Sequence, residues 1–288
     1  MNIDRSSEVV TKISSVLRKT LNNHGHGFQY AVLRRTQQLA EAERSRWVFE
    51  GAEFPVATGT SITHIDFVLR TPSRRTYLVA ECKRADPARA TWCFVRTPYT
   101  WRNPDDKEVV FENLVSDPNK PVLAEPLSAY TTRGNYRLAV DVRTGVKGDG
   151  EHRGRYPVDD AAAQVLRGVS GLVNHLFPGH DRAFSQPGVV RFLPVIFTTA
   201  EIWVTEADLG EADLATGELD SSKVEAKPVD WVWFTHNRSP ALSHDHQPLP
   251  DSDLSRALRR EFARSIAVVG PSGIDAFLSV DLESWLES

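Results

Sequence analysis

Sulfur is scarce in this chain: 288 residues hold two cysteines and one methionine. Cys82 and Cys93 show no repeated spacing, which argues against a disulfide framework and against a zinc finger. Long apolar runs are missing too. None approaches the roughly 20 residues that a membrane span requires. The opening Met1-Asn2-Ile3-Asp4-Arg5 carries no apolar signal core, so a cytoplasmic chain without a membrane partner is expected. Neither an internal repeat nor a low-complexity tract is present. Net positive charge is also lacking: the formal balance is -4, which argues against a broadly basic nucleic-acid binder.

What is present fits an ordinary globular protein, with 41% hydrophobic and 25% charged residues. The length suits one large domain or two small ones, and one domain over residues 1–288 is the expectation. The charge is unevenly spread. Residues 1–110 hold 17 Lys or Arg against 12 Asp or Glu, while residues 111–288 hold 17 against 26. The basic excess therefore lies in the half that also contains the most informative motif. Arg70, Arg74, Arg75 and Arg84 cluster around it in sequence and are candidate phosphate contacts. Read singly, each arginine is more ordinarily a solvated surface residue.

That motif is a pair of strands. Ile62 to Arg70 and Thr76 to Lys83 are apolar-rich and β-branched, and the intervening Thr71-Pro72-Ser73-Arg74-Arg75 reads as a turn. Side chains alternate on a strand, so Glu81 and Lys83 share a face while Cys82 points to the other. Folding one strand onto its neighbour brings Asp66 near Glu81. Two carboxylates so close repel unless a cation lies between them. Mg²⁺, with Mn²⁺ as a substitute, is the natural ion, because it takes hard oxygen ligands and needs few protein carboxylates. Lys83 beside them suits orienting water or neutralising charge on a phosphate.

The Glu-x-Lys spacing alone is weak, since it recurs at Glu225-Ala226-Lys227, where the context is polar and ends at Pro228. Tyr77 to Ala80, by contrast, forms the short apolar run of a central strand, where an unpaired acid and lysine are costly. A plain cross-strand ion pair at the end of a sheet remains open from the residues alone.

In the order of its pieces the chain resembles the PD-(D/E)xK nuclease superfamily, the restriction-endonuclease-like fold. A helix carrying Gln29 precedes the strand with Asp66, then comes the strand with Glu81-x-Lys83, then a helix carrying Gln164. Ile65 stands where the motif has Pro. The resemblance implies an α/β (α+β) fold with a mixed central sheet flanked by helices. Asp66 and Glu81 would be the metal-binding acids and Lys83 the catalytic lysine, with Gln29 and Gln164 as supporting site residues. The implied activity is Mg²⁺-dependent endonucleolytic hydrolysis of nucleic acid, DNA before RNA, in a role such as restriction or defence against foreign DNA. A nucleic-acid-binding or sensory module that keeps the fold without catalysis is the alternative, because fold does not fix function. An interaction protein with a surface ion pair at Asp66 is a third reading.

Periodicity fills in the rest. Val9, Val10, Ile13, Val16, Leu17 and Leu21 recur at helical spacing, and a second helix is predicted from Gln29 to Arg44. Trp47 to Glu50 and Phe54 to Val56 suggest a first strand. His24 and His26 lie in a glycine-punctuated loop and read as loop residues before metal ligands; the same holds for His244 and His246. The core is expected over residues 25–90 and 158–236. A β-rich insertion over about 91–157 would carry substrate contacts or a dimer surface, so a homodimer is among the expected states. Tyr99, Trp101 and Arg102 in it would suit base stacking, although such aromatics more often pack a small core. Val158 to Leu176 is predicted helical, opened by Pro157. Val189 to Val204 is predicted as two strands or a strand with a break, Val229 to Phe234 as another, and helices are predicted over about 252–287.

Overall fold

The computed structural model describes residues 3–23, 25–58, 61–87, 90–96, 111–117, 120–127, 136–142, 157–176, 188–236 and 264–280. The readings made for His24, for residues 99–102, for His244 and His246, and for residues 252–263 lie outside this set.

The chain is mixed α/β, built on one large mixed sheet with few helices. Helix α1 (Ile3–Asn23) and helix α2 (His26–Glu41) are separated by Gly25, whose φ of +76° suits a residue without Cβ. Strands β1 (Val48–Thr58), β2 (Ser61–Arg70) and β3 (Thr76–Lys83) form an antiparallel meander. Helix α3 (Pro157–Leu176) then leads into β8 (Gly188–Thr198), which pairs parallel with β3, Thr76 facing Arg191 and Lys83 facing Thr198. Strand β12 (Arg264–Val269) pairs parallel with the other side of β8. Beyond it come β11 (Trp231–His236), β7 (Tyr136–Val142), β4 (Thr91–Arg96), β9 (Glu201–Thr205) and the edge strand β10 (Ala226–Val229). Strands β5 (Phe111–Asp117) and β6 (Lys120–Leu127) form a hairpin, of which β5 pairs with β8.

Three of these placements differ from the sequence pattern. The stretch read as an insertion supplies β4 and β7 to the interior of the main sheet, and Lys120–Leu127, unassigned by its pattern, is strand β6. Within the region where helices are predicted, 252–287, a strand begins at Arg264. Ile266, Ala267, Val268 and Val269 are fully buried between β8 and β11, and a run that is apolar on both faces suits a central strand better than an amphipathic helix. In the described part of the C-terminal region a short 3-10 turn, Pro271–Gly273, leads into helix α4 (Ile274–Ser279).

Both faces of the sheet are covered. Val165, Val169, Leu172 and Val173 of α3 pack with Val56, Val68 and Val79 on one face. Val32 and Leu39 of α2, with Phe277 and Leu278 of α4, pack with Phe67, Leu69 and Leu78 on the other. Arg35 and Asp275 form an ion pair that joins α2 to α4. The seat of α3 is unusually close. A Cβ at Gly171 would stand 2.5 Å from Cγ2 of Val56, and one at Gly168 3.0 Å from Cγ1 of Ile65. Two glycines three apart thus let the helix lie directly on β1 and β2. No helix among the described residues is long and apolar enough to cross a membrane.

Candidate functional site

The register of β2 and β3 decides where the acids fall. Phe67 faces Ala80, and one residue further along each strand stand Asp66 and Glu81. On β3, Val79, Glu81 and Lys83 alternate onto the face covered by α3. Glu81 is buried, 5% exposed, at the point where β3 leaves its apolar run. Lys83 Nζ lies 2.7 Å from Glu81 Oε1 and donates to Gln164 Oε1 of α3 at 2.5 Å. Asp66 is held from its other side, because its Oδ2 accepts the backbone N–H of Cys82 at 2.6 Å. Four of the five residues singled out in the sequence are therefore tied together by β3: Asp66, Glu81, Lys83 and Gln164.

Gln29, the fifth, approaches from α2. It is buried, and its Nε2 donates to the backbone carbonyl of Asp66 at 2.7 Å and to Glu53 Oε1 at 2.9 Å. It therefore braces the strand at Asp66 and does not touch the Asp66 carboxylate.

Glu53 was not singled out in the sequence. It lies on β1 between Ala52, which faces Phe67, and Phe54, which faces Ile65, and so stands opposite Asp66. Its φ of +48° is left-handed, a conformation that costs a residue with a Cβ about 1–2 kcal/mol. The Gln29 bond and the imidazole of His26, whose Nδ1 is 3.8 Å from Glu53 Oε1, hold it there. Nothing in a lone acid within an alternating strand announces this. Arg167 was passed over as well, although it lies one helical turn after Gln164. Its charge acts on Glu81, and that spacing was a legible signal.

Electrostatics follow from burial. Removal from water pushes the Glu81 carboxyl up to about 7, and the neighbouring Asp66 adds to this, against the opposing pull of Lys83 and Arg167. Asp66 is raised in the same way, first by burial, with Glu53 contributing and the Cys82 amide, Lys83 and His26 opposing. Cys82, which follows Glu81 directly in sequence, has its thiol pushed well above the ordinary value by burial and by both carboxylates; it and Cys93 are free thiols.

The donor set suits a hard divalent cation. Asp66 engages the protein through Oδ2 and Glu81 through Oε1, which leaves one oxygen of each for a metal. Among the described residues no group of three or more His, Cys, Asp or Glu side chains converges. Two carboxylates are enough for Mg²⁺, which keeps several waters, whereas a structural zinc site needs four protein ligands.

The arginines divide. Arg84 follows Lys83 directly, is exposed, and donates to the carbonyl of Asn22 at 2.9 Å. Arg70 is bound to Glu50 at 2.5 Å and is largely buried. Arg74 and Arg75 lie in the β2–β3 turn. Six residues of strand separate Arg75 from Glu81, a span of roughly 20 Å, and four separate Arg70 from Asp66, roughly 13 Å. The clustering of these three around the acid pair in sequence is thus not reproduced in space, because an antiparallel hairpin sends its turn and its open end in opposite directions.

Set against known proteins, the chain matches no family model, no curated protein and no solved structure.

Proposed function

We propose that this chain is a Mg²⁺-dependent endonuclease that hydrolyses phosphodiester bonds, with DNA the preferred substrate, on a core of the PD-(D/E)xK type. The observation that carries this reading is the convergence of Asp66, Glu81, Lys83 and Gln164 from β2, β3 and α3, with Lys83 and Gln164 joined across 81 residues of sequence. An incidental surface ion pair does not account for it. Glu81 is 5% exposed, and the cost of burying two acids and a lysine together is met only by a cation or by function.

Asp66 and Glu81 would hold the metal, which when bound supplies Lewis-acid stabilisation of phosphoryl charge and a lowered pKa for attacking water. Lys83 has three N–H donors. Two are directed to Glu81 and Gln164, which fixes the ammonium, and the third is left to donate to water or to a phosphoryl oxygen. Gln29 keeps the Asp66 segment of β2 in place. Arg84, exposed beside Lys83, supplies phosphate attraction. Endonuclease activity in restriction or defence is the fitting biological use.

The test is a supercoiled-plasmid nicking assay with Mg²⁺ or Mn²⁺ against EDTA. Wild type nicks only with metal, and Lys83→Ala loses at least two orders of magnitude in rate while still retarding DNA on a gel. Nicking by Lys83→Ala at the wild-type rate removes the assignment. Binding without nicking by the wild type favours the non-catalytic module instead.

A further inference from the structure

Glu53 holds a left-handed φ of +48°, a backbone conformation that glycine takes freely and that is costly for a residue with a Cβ. Packing does not account for it, because the side chain is 46% exposed. Strained backbone persists where its surroundings over-determine it, and such residues gather at functional sites. What the Glu53 carboxylate does reach is the buried amide of Gln29.

A side-chain amide nitrogen carries two N–H groups fixed in one plane. In Gln29 both have acceptors, Glu53 Oε1 at 2.9 Å and the Asp66 carbonyl at 2.7 Å. Anchoring one N–H therefore aims the other. The reversed amide would set its oxygen against the Glu53 carboxylate and the Asp66 carbonyl, two groups that only accept, and Gln29 is 3% exposed, so the broken bonds would go unreplaced. The brace falls where the strand needs one. Phe67 with Ala80 is the last pair of the β2–β3 ladder, and Asp66 stands just beyond it, its carboxylate fixed from the β3 side by the Cys82 N–H.

We infer that Glu53 is a positioning residue of the site: its carboxylate orients the Gln29 amide, and the amide in turn fixes Asp66 against Glu81. Among the described residues no three His, Cys, Asp or Glu side chains converge, which suits a brace acting through Gln29 and not a third ligand. Partners that orient a metal ligand in this way govern affinity for the ion. The inference rests on the reading of Asp66 and Glu81 as metal-binding acids.

Calorimetric titration of the full chain with Mn²⁺ tests it, well below the melting temperature recorded for each variant, so that any loss of affinity is read on folded protein. Glu53→Gly, which takes the left-handed backbone without strain, binds Mn²⁺ about tenfold more weakly than wild type. Glu53→Gln keeps an acceptor oxygen and loses only the charge, so it binds more tightly than Glu53→Gly. In a Gln29→Ala chain, Glu53→Gly causes no further loss, because its effect passes through that amide. A wild type that binds no Mn²⁺ removes the metal reading and this inference with it. Where wild type binds, three results overturn the inference alone: undiminished affinity in Glu53→Gly, a loss just as large in Glu53→Gln, which would mark plain charge attraction, or a full further loss in the Gln29→Ala chain.

Discussion

Lys83 and Gln164 meet at 2.5 Å, and this bond fastens the end of β3 to the middle of α3. Gln164→Ala leaves Lys83 with Glu81 as its one described partner and frees the ammonium to move. We predict a fall of ten- to a hundredfold in the nicking rate with plasmid affinity unchanged, because one fixed hydrogen bond to a charged group is worth about 1.5–3 kcal/mol. Gln164→Glu retains an acceptor and should keep more activity than Gln164→Ala.

Glu81 gives a pH signature. Its pKa is raised by folding from 4.5 to about 7, so between those values the folded state holds more protons than the unfolded state. Stability from this group is therefore greatest below pH 4.5 and declines as pH rises towards 7. Above that, wild type carries a penalty of about 3 kcal/mol at most. Glu81→Gln removes the ionisation, so it should melt higher than wild type at pH 8, with the gap closing towards pH 5. Urea titrations of both proteins at the two pH values check this.

Metal binding carries the opposite dependence. Protonated carboxyls are poor ligands, so Mg²⁺ should raise the melting temperature of wild type at pH 8 and much less at pH 5.5. In Asp66→Asn the shift at pH 8 should vanish. An equal shift at both pH values would show that the ion binds elsewhere.

Gly171 is required by the approach of α3 to β1. In Gly171→Ala the new Cβ meets Val56 at 2.5 Å, and overpacking of this kind costs about 1–3 kcal/mol, outweighing the gain of under about 1 kcal/mol in helix propensity. The melting temperature should drop by several degrees. Val56→Ala in the same chain should recover part of the loss, as coupled neighbours do.

Arg70 and Arg84 should separate stability from binding. Arg70→Ala strands Glu50, itself largely buried, and should cost about 1–3 kcal/mol of stability with little change in DNA affinity. Arg84→Ala should leave the melting temperature almost unchanged and reduce the salt slope of DNA binding by about one.

The chain disclosed its local structure more readily than its long-range pairing. The β2–β3 hairpin and α3 were legible because alternation, turn chemistry and helical spacing are written in consecutive residues. Asp66, Glu81, Lys83 and Gln164 could be placed together by element order. The parallel partners of β8 could not, since nothing local in Val195-Ile196-Phe197 says that it lies between β3 and β12. The first residues of strand β12, Arg264 to Ile266, were read as the end of a helix because they follow residues with amphipathic spacing, and only burial on both faces distinguishes them. Glu53 was hidden for a different reason: its role depends on a left-handed backbone and on Gln29, neither of which leaves a trace in composition.

The parallel pairing of Thr76 with Arg191 has a kinetic corollary. More than a hundred residues must be gathered before β3 gains this neighbour, and closing loops of that size slows the search for the native state. Asp66, Glu81 and Lys83 can meet early on the local β2–β3 hairpin, but the burial that surrounds Glu81 is complete only once β8 and α3 have joined it. Refolding monitored by return of near-ultraviolet circular dichroism, which reports the packed core, should accordingly lag behind recovery of the far-ultraviolet signal.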